Sequence, residues 1–195
     1  MSKRLFDVAA ASVGLLLLAP LLLGLALWVR LDSPGPVLYR QQRVGRNGVP
    51  FDILKFRTMR TDAGGPQLTV GQDPRVTHAG HWLRRYKLDE LPQLINVLQG
   101  SMSLVGPRPE VPRYVACYPA DVRATVLSVA PGITDLASIL YKEENEVLGR
   151  AADPERTYID TILPVKLAYY QRYVRERSFW LDVRILFRTL AAIVR

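Results

Sequence analysis

Two adjacent carboxylates, Asp89 and Glu90, lie among basic residues in the segment 84–110, and this combination suits phosphate chemistry. Arg84 precedes the pair, and Arg108 follows it between two prolines in a Gly-Pro-Arg-Pro turn. A carboxylate can act as a nucleophile when nearby cations offset its charge. A guanidinium on a stiff backbone is suited to bind a phosphate in one orientation. The segment therefore predicts a site for a phosphorylated substrate.

The helix that carries this pair offers a second interpretation. The apolar pattern predicts a helix over residues 88–99, with Asp89 at the N-cap and Glu90 in the first turn, where acidic residues are common. Capping is therefore the structural alternative to catalysis. The neighbouring arginines and the rigid turn favour catalysis, because a helix cap needs neither.

A second group of cations lies on a predicted β-hairpin. Strands over 37–43 and 49–58 flank the turn Gly45–Gly48. Lys55 and Arg57 alternate with an aromatic residue on the second strand, so their side chains share one face. Two interpretations stay open for this face, a phosphate clamp and the solvated edge of a strand.

The remaining elements are mostly helical, so the sequence predicts an α+β fold with one small hairpin. Helices are predicted over 81–86, 112–127 and 163–177. The final segment, 178–195, combines apolar, aromatic and basic residues, which is typical of an amphipathic helix in the plane of a membrane surface. Packing on the protein core is the alternative for this segment.

The uncharged apolar segment 8–29 bears on whether the protein is associated with a membrane. It is close to the ~20 residues that a helix needs to cross a bilayer, but Pro20 lies in its middle, where proline disrupts helix hydrogen bonding. Both flanks are basic, with Lys3 and Arg4 before and Arg30 after, whereas a spanning helix carries its positive charge on one side. Three interpretations of this segment stay open: a spanning helix, a re-entrant helix kinked at Pro20 and a buried core helix.

The composition narrows the function classes. A net charge of +8 over 195 residues favours anionic partners, but the apolar segment and the lack of a recognition motif disfavour nucleic acid. The single cysteine, Cys117, excludes an internal disulfide framework. Only His78 and His81 are histidines, so a zinc site or a Ser-His-Asp triad is poorly supported.

The motifs together resemble the monotopic phosphoglycosyl transferases, the bacterial sugar transferase family, in their short catalytic-domain form. The resemblance covers nearly the whole chain in order. It rests on the apolar segment with Pro20, KFRTM at 55–59, DPRVT at 73–77, LRR at 83–85, KLDELPQLINVLQGSMSLVGPRPE at 87–110 and APGIT at 130–134.

The resemblance implies a re-entrant, helix-break-helix membrane segment over 1–31 and one catalytic domain over 32–195, on the cytoplasmic face of the bacterial inner membrane. It implies transfer of a sugar 1-phosphate from a UDP-sugar to a polyprenol phosphate such as undecaprenyl phosphate, with release of UMP. Such a reaction is the first membrane step in making O-antigen, lipopolysaccharide, capsule, exopolysaccharide or glycoprotein. The implied cofactor is Mg²⁺.

The resemblance also implies roles for individual residues. Asp89 would form a covalent phosphosugar intermediate, and Glu90 would assist proton handling or metal positioning, so that both carboxylates lie at the Mg²⁺. Four basic residues would hold the phosphates: Lys55 and Arg57 of the possible clamp, together with Arg84 and Arg108.

Two departures from the family pattern bear on these expectations. Ala19 precedes the kink proline where some relatives carry Ser, so the kink depends more heavily on Pro20. After APGIT, the segment 135–148 replaces a tryptophan-containing segment and an Asn-Gly-Arg turn, which leaves Lys142 as the nearest counterpart of a substrate-binding Arg. The donor sugar stays open, and so does the oligomeric state, with a homodimer as one alternative.

A different class of function also fits the charge and the apolar segment. A non-enzymatic adaptor at the membrane surface would use its basic residues to bind anionic lipid or partners. Its binding would survive loss of Asp89 and weaken steeply with salt. The acid pair favours the enzyme, because an adaptor has no need of it.

Overall fold

Helices make up most of the fold, and the computed structural model describes residues 3–61, 73–141 and 144–194. The predicted α+β, mostly helical class is confirmed. In chain order the helices are α1 (Lys3–Asp32), α2 (His78–Arg85), α3 (Gln93–Gln99), α4 (Pro112–Val115), α5 (Ala120–Val126), α6 (Leu136–Leu140), α7 (Glu144–Arg150), α8 (Pro154–Thr157), α9 (Leu163–Glu176) and α10 (Phe179–Val194). The strands are β1 (Leu38–Val44), β2 (Pro50–Phe56), β3 (Ser103–Val105) and β4 (Gly132–Thr134).

The predicted hairpin is present. β1 and β2 pair in antiparallel register, with Tyr39 opposite Lys55. The connection passes through Asn47 at φ 57° and Gly48 at φ 77°, left-handed conformations that Asn and Gly adopt more readily than other residues. The hairpin therefore fixes the position of Lys55 near the end of β2.

A second, parallel pair of strands was not predicted. β3 pairs with β4, with Ser103 opposite Gly132 and Val105 opposite Thr134. The pair is short, and the two segments that form it are distant in the sequence, so no local sequence pattern predicts it. It places the Gly-Pro-Arg-Pro turn, which begins directly after β3 at Gly106, beside the 130–134 segment.

Two predicted helices do not form as single continuous α-helices. The helix expected over 112–127 is divided into α4 and α5, because Pro119 cannot donate the backbone hydrogen bond that a continuing helix needs. The helix expected over 88–99 begins instead as a 3-10 turn, Leu88–Glu90, and becomes α-helical only from Gln93.

The apolar helix α1 is attached to the rest of the fold near both of its ends. Near its start, Lys3 pairs with Asp182 of α10, and the Arg4 guanidinium donates to backbone carbonyls at the end of α3. Near its end, the Arg57 side chain of the β2 edge donates to the Val29 carbonyl at 3.1 Å. The domain therefore contacts α1 near both of its ends.

Much of the α1 surface is apolar and exposed, which excludes a buried core helix. The Leu16, Leu17 and Leu23 side chains are at least 73% exposed, and α1 is long and apolar enough to cross a membrane by length and composition. The helix continues through Pro20 without interruption. A change of direction there would therefore be a kink within one helix rather than a loop between two.

Helix α10 carries the second exposed apolar surface. Phe179, Trp180, Phe187 and Leu190 are between 42% and 76% exposed, whereas Ile185 is buried in the core. The helix thus packs on the domain through one face and leaves aromatic and aliphatic side chains on another. This arrangement fits the expected interfacial helix better than a helix whose apolar residues all face the core.

Candidate functional site

Asp89 and Glu90 lie in the short 3-10 turn between α2 and α3, and they are only 8% and 9% exposed. The preceding residue, Lys87, has a left-handed φ of 55°, a conformation that costs a non-glycine residue roughly 1–2 kcal/mol. Such strain is often found at functional sites. In this turn and at Pro92, the cap of α3, no side chain forms a capping hydrogen bond. The N-cap interpretation of Asp89 is therefore wrong.

The Glu90 carboxylate is held between two cations from distant segments. Lys55 Nζ donates to Glu90 Oε1 at 2.8 Å from the end of β2. Arg108 binds the same carboxylate through both terminal nitrogens, with Nη1 3.3 Å from Oε2. The structure thus brings together Lys55, Glu90 and Arg108, three of the residues that the sequence singled out.

The two adjacent carboxylates have opposite electrostatics. Burial alone would raise the pKa of Glu90, but Arg108 and Lys55 outweigh it and hold this pKa well below its usual value. Burial raises the pKa of Asp89, and the charge of Glu90 raises it further, with Lys55, Lys87 and Arg108 opposing only in part. Glu90 is therefore a fixed anion, whereas Asp89 carries a poorly stabilised charge.

Asp89 has the chemical character of a nucleophile. Among the described residues, no donor forms a hydrogen bond with its carboxylate, although the site is rich in cations. Its negative charge is consequently desolvated and unshared, and such a carboxylate gains most from contact with an electrophile or a metal ion.

Arg84 lies at the end of α2, and its charge interacts with that of Asp89. Its Nε donates to the Thr58 hydroxyl at 2.9 Å, which fixes the stem of the side chain. Burial lowers the pKa of Arg84, and the charge of Asp89 opposes this shift. No hydrogen-bond partner of its terminal nitrogens lies within the described ranges. These donors can therefore receive an anionic ligand.

Arg57 is separated from this group, contrary to the phosphate clamp that strand alternation suggested. It is 3% exposed, and its terminal nitrogens donate to the carbonyls of Val29, Ser33 and Pro34. Burial lowers the pKa of Arg57, and the charge of Arg30 lowers it further. The guanidinium joins the end of α1 to β2, and both of its terminal nitrogens are already bound by backbone carbonyls.

The predicted set also contains Lys142 and Pro20. Lys142 falls outside the described residues. Pro20 lies inside α1.

The carboxylate pair can be tested as a magnesium site on its free donor atoms. Within the described ranges, no group of three or more His, Cys, Asp or Glu side chains could hold a metal ion. Mg²⁺ does not need such a cage, because it commonly binds one or two carboxylates together with water and substrate phosphates. Asp89 accepts no hydrogen bond from any residue in the described part of the chain, whereas Glu90 shares its oxygens with two cations. The residues thus fit an ion held chiefly by Asp89 and a bound phosphate.

A buried polar group beside the turn was missed at the sequence level. The Glu110 carboxylate accepts hydrogen bonds from Tyr158 and Lys166, and Arg43 lies 3.7 Å away. The only signal in the sequence was the position of Glu110 directly after the Gly-Pro-Arg-Pro turn. Its partners are distant in the chain, so no spacing could have identified them.

Comparison with known proteins gives a consistent result over the whole chain. A family model described as "Bacterial sugar transferase" matches residues 1–195. The chain is 41% identical over 196 residues to the "UDP-glucose:undecaprenyl-phosphate glucose-1-phosphate transferase" of Caulobacter vibrioides, covering 98% of this chain and 69% of that protein.

Two other relatives differ in length and in the sugar that they name. The "UDP-N-acetylgalactosamine-undecaprenyl-phosphate N-acetylgalactosaminephosphotransferase" of Aeromonas hydrophila is 38% identical, over 98% of this chain and 43% of its own length. The "Exopolysaccharide production protein PSS" of Rhizobium leguminosarum bv. phaseoli is 38% identical, over 97% of this chain and 94% of its own length. The chain thus spans less than half of some relatives and nearly all of another.

Proposed function

The chain belongs to the bacterial sugar transferase family, and we propose that it transfers a sugar 1-phosphate from a UDP-sugar to undecaprenyl phosphate, releasing UMP. The observation that carries this proposal is the unshared Asp89 carboxylate next to a Glu90 that is neutralised by Lys55 and Arg108. Such a site offers one nucleophile and several cations, which is what the displacement of a phosphate ester from a diphosphate needs.

The first step is the attack of an Asp89 oxygen on the sugar-linked phosphorus of the donor. A bond forms between this oxygen and phosphorus, the bond from phosphorus to the UMP oxygen breaks, and UMP leaves with the electron pair. In the second step, a phosphate oxygen of undecaprenyl phosphate attacks the same phosphorus, and the Asp89 carboxylate is released. Neither step transfers a proton, so an ionised Glu90 is compatible with both.

The cations would bind and orient the phosphates. The terminal nitrogens of Arg84 have no hydrogen-bond partner among the described residues, while Lys55 and Arg108 are held by Glu90 at the same site. Glu90 then keeps two cations in place before the substrate arrives, which lowers the cost of organising the site. We assign Glu90 this role in place of proton handling.

Sugar-phosphate transferases of this family generally depend on a metal ion, and we propose that the ion is Mg²⁺. Asp89 would hold it together with phosphate oxygens of the donor, and the bound ion would offset negative charge on the leaving group. Glu90 would contribute only if a substrate phosphate drew away one of its two cations.

Membrane association follows from the exposed apolar helix α1, and we propose a monotopic, re-entrant arrangement on the cytoplasmic face of the bacterial inner membrane. The contacts of Lys3 and Arg57 support it, because they attach the two ends of α1 to one domain. Membrane lipid would cover the exposed faces of α1 and α10. Tags placed at the two chain ends should be accessible from the same face of sealed vesicles; access from opposite faces would contradict this topology.

The reaction is tested by UMP release from a panel of UDP-sugars, with Mg²⁺ and undecaprenyl phosphate, on detergent-solubilised protein. We expect release with at least one donor, a product that extracts into organic solvent, and labelled sugar phosphate trapped on the protein when the acceptor is omitted. Asp89→Asn should abolish trapping. A matched control is Glu176→Gln, which removes a carboxylate from an exposed ion pair with Arg172. Trapping by the Asp89 variant would overturn the covalent route, and salt-sensitive lipid binding without turnover would favour the adaptor.

A further inference from the structure

We propose that Glu110 and Arg43 are positioning residues that hold the Gly106–Pro109 turn, and with it the Arg108 guanidinium, against Glu90. The inference rests on the proposed function, because it concerns the placement of a cation at the site of phosphate transfer. Neither residue has a described hydrogen bond or ion pair with Asp89 or Glu90.

Arg43 contacts the turn directly from the end of β1. Its Nη1 donates to the Pro109 carbonyl at 3.0 Å. Nε and Nη2 both bind the Gln41 side-chain oxygen, at 3.1 and 2.6 Å, so the guanidinium has one orientation. The neighbouring Val44 amide donates to the Glu110 carbonyl at 3.0 Å. Strand β1 therefore binds the backbone directly C-terminal to Arg108 through these hydrogen bonds.

The Glu110 side chain joins the same segment to Tyr158 and to Lys166 of α9. It is 6% exposed and accepts hydrogen bonds from the Tyr158 hydroxyl at 2.6 Å and from Lys166 Nζ at 3.1 Å, while Arg43 Nη1 lies 3.7 Å away. Burial alone would raise the pKa of Glu110, but Lys166, Tyr158 and Arg43 hold it below its usual value. The carboxylate is thus an anion that links β1 to α9 through the turn.

The N-terminal side of the turn is held equally well. The Gly106 amide donates to the Thr134 carbonyl at 3.1 Å, and the Gly132 amide donates to the Pro107 carbonyl at 2.9 Å. A side chain on Gly106 would place its Cβ 2.5 Å from the Ala130 carbonyl oxygen, which shows how closely the segments approach. With the backbone fixed on both sides, the guanidinium of Arg108 can reach Glu90 in few orientations.

A buried polar group of this kind could serve stability alone, and the contacts suggest a more specific role. Arg43 lies 3.7 Å from the Glu110 carboxylate and donates to the carbonyl of Pro109, the residue directly after Arg108, so the group contacts the turn as well as the core residue Tyr158. A displacement of ~1 Å at a reacting centre can lower turnover about 100-fold. Loss of the Glu110 charge should therefore affect turnover through Arg108.

A double-mutant cycle of UMP release separates the two roles. Glu110→Gln alone should lower turnover about 10- to 100-fold. In the Arg108→Lys background the same change should lower turnover less than about threefold, because the side chain to be positioned is already altered. Glu110→Asp, which keeps the charge, should recover part of the loss. Equal losses in the two backgrounds would overturn the proposal.

Hydrogen–deuterium exchange provides a readout that needs neither substrate nor activity. In Glu110→Gln, the Val44 and Gly106 amides should exchange at least about tenfold faster, while amides within α10 keep the wild-type rate. The control is Glu176→Gln, which removes a carboxylate from an exposed ion pair and should change neither region. Uniformly faster exchange, or no change at Val44 and Gly106, would contradict the positioning role.

Arg43→Lys is the second variant if Glu110→Gln does not fold. It keeps the charge but cannot bind Gln41 and the Pro109 carbonyl together, so it should show the same loss of turnover and the same local exchange. If wild-type protein releases no UMP with any donor, the proposed function fails while the exchange result still decides whether Glu110 holds the turn. Wild-type exchange at Val44 and Gly106 in both variants would refute the proposal.

Discussion

Replacing Glu90 with glutamine removes the anion that holds Lys55 and Arg108 together and leaves the shape of the side chain nearly unchanged. Lys55 Nζ lies 2.8 Å from the carboxylate, and unit charges at that distance attract by about 6 kcal/mol at an effective dielectric constant of ~20. Desolvation offsets much of this attraction. Removing one member of a buried ion pair typically costs about 3–5 kcal/mol, because the remaining charge is left uncompensated.

We expect the lower end of that range for Glu90→Gln. The Lys55 and Arg108 side chains keep 17% and 30% exposure, and Asp89 can replace part of the lost charge. A loss of about 3 kcal/mol in a chain of this size corresponds to a melting temperature lower by roughly 6–12 °C. Turnover should fall by about 100- to 1,000-fold, because two cations lose their fixed positions.

The pH dependence of this variant distinguishes the two possible roles of Glu90. The charge of Glu90 contributes to the raised pKa of Asp89, so its removal should lower that pKa. A nucleophilic carboxylate must be ionised, and the acid limb of the rate profile should therefore move to lower pH. If Glu90 were the group that exchanges protons, the variant would lose this limb and fall to the level of Asp89→Asn.

The assay is UMP release across a pH series for the wild type, Glu90→Gln and Glu176→Gln. The last variant removes a carboxylate from an ion pair whose side chains are more than half exposed, and it should match the wild type. An acid limb that stays in place or moves to higher pH in Glu90→Gln would refute the reasoning. So would activity as low as that of Asp89→Asn.

Three further predictions concern stability and local structure. Because folding raises the pKa of Asp89, the ionised carboxylate lowers the stability of the folded protein at neutral pH. Asp89→Asn should therefore raise the melting temperature at pH 7 by roughly 2–4 °C for ~1 kcal/mol. This gain should disappear below about pH 4, where the carboxyl group is protonated in both the folded and the unfolded state. Gly106→Ala should destabilise the fold by ~2 kcal/mol or more in thermal unfolding, since the added Cβ meets the backbone of 130–132, whereas Gly149→Ala, with open space around it, should not destabilise the protein. Arg57→Lys should lower stability by ~2 kcal/mol through lost hydrogen bonds to carbonyls and leave the KM for the UDP-sugar within about twofold; a tenfold increase in KM would return Arg57 to phosphate binding.

Much of the architecture could be predicted from local patterns. The Gly45–Gly48 turn between two short strands gave the hairpin, because hairpin turns depend on a few residues in sequence. The apolar segment 8–29 predicted a long helix, but its composition fits a core helix as well as a membrane helix, and only the packing shows that its apolar side chains are exposed. The parallel β3–β4 pair escaped prediction, because three-residue strands separated by more than 25 residues leave no periodic signal.

For the candidate site, the sequence identified the residues better than their contacts. Lys55 and Arg57 share a strand face by alternation, yet one binds Glu90 and the other binds carbonyls at the end of α1. Lys55 is next to the Leu88–Glu90 turn, whereas Arg57 is next to the end of α1. These neighbours depend on how the turn and α1 pack on β2, which strand alternation does not specify. The Glu110 group was invisible for the same reason, because its partners come from β1 and α9.

The sequence by itself determined the chemical inventory of this protein: an acid pair, a rigid arginine turn and an apolar helix with basic flanks. These depend on residue types and short spacings, which the covalent chain fixes. Only the tertiary structure decided which carboxylate is neutralised and which is left unshared. Glu90 forms hydrogen bonds with Lys55 and Arg108, which lie 35 and 18 residues away in the sequence, whereas its neighbour Asp89 forms a hydrogen bond with neither. The pKa of a carboxyl group depends on burial and on charges within a few ångströms, and folding alone brings those charges together.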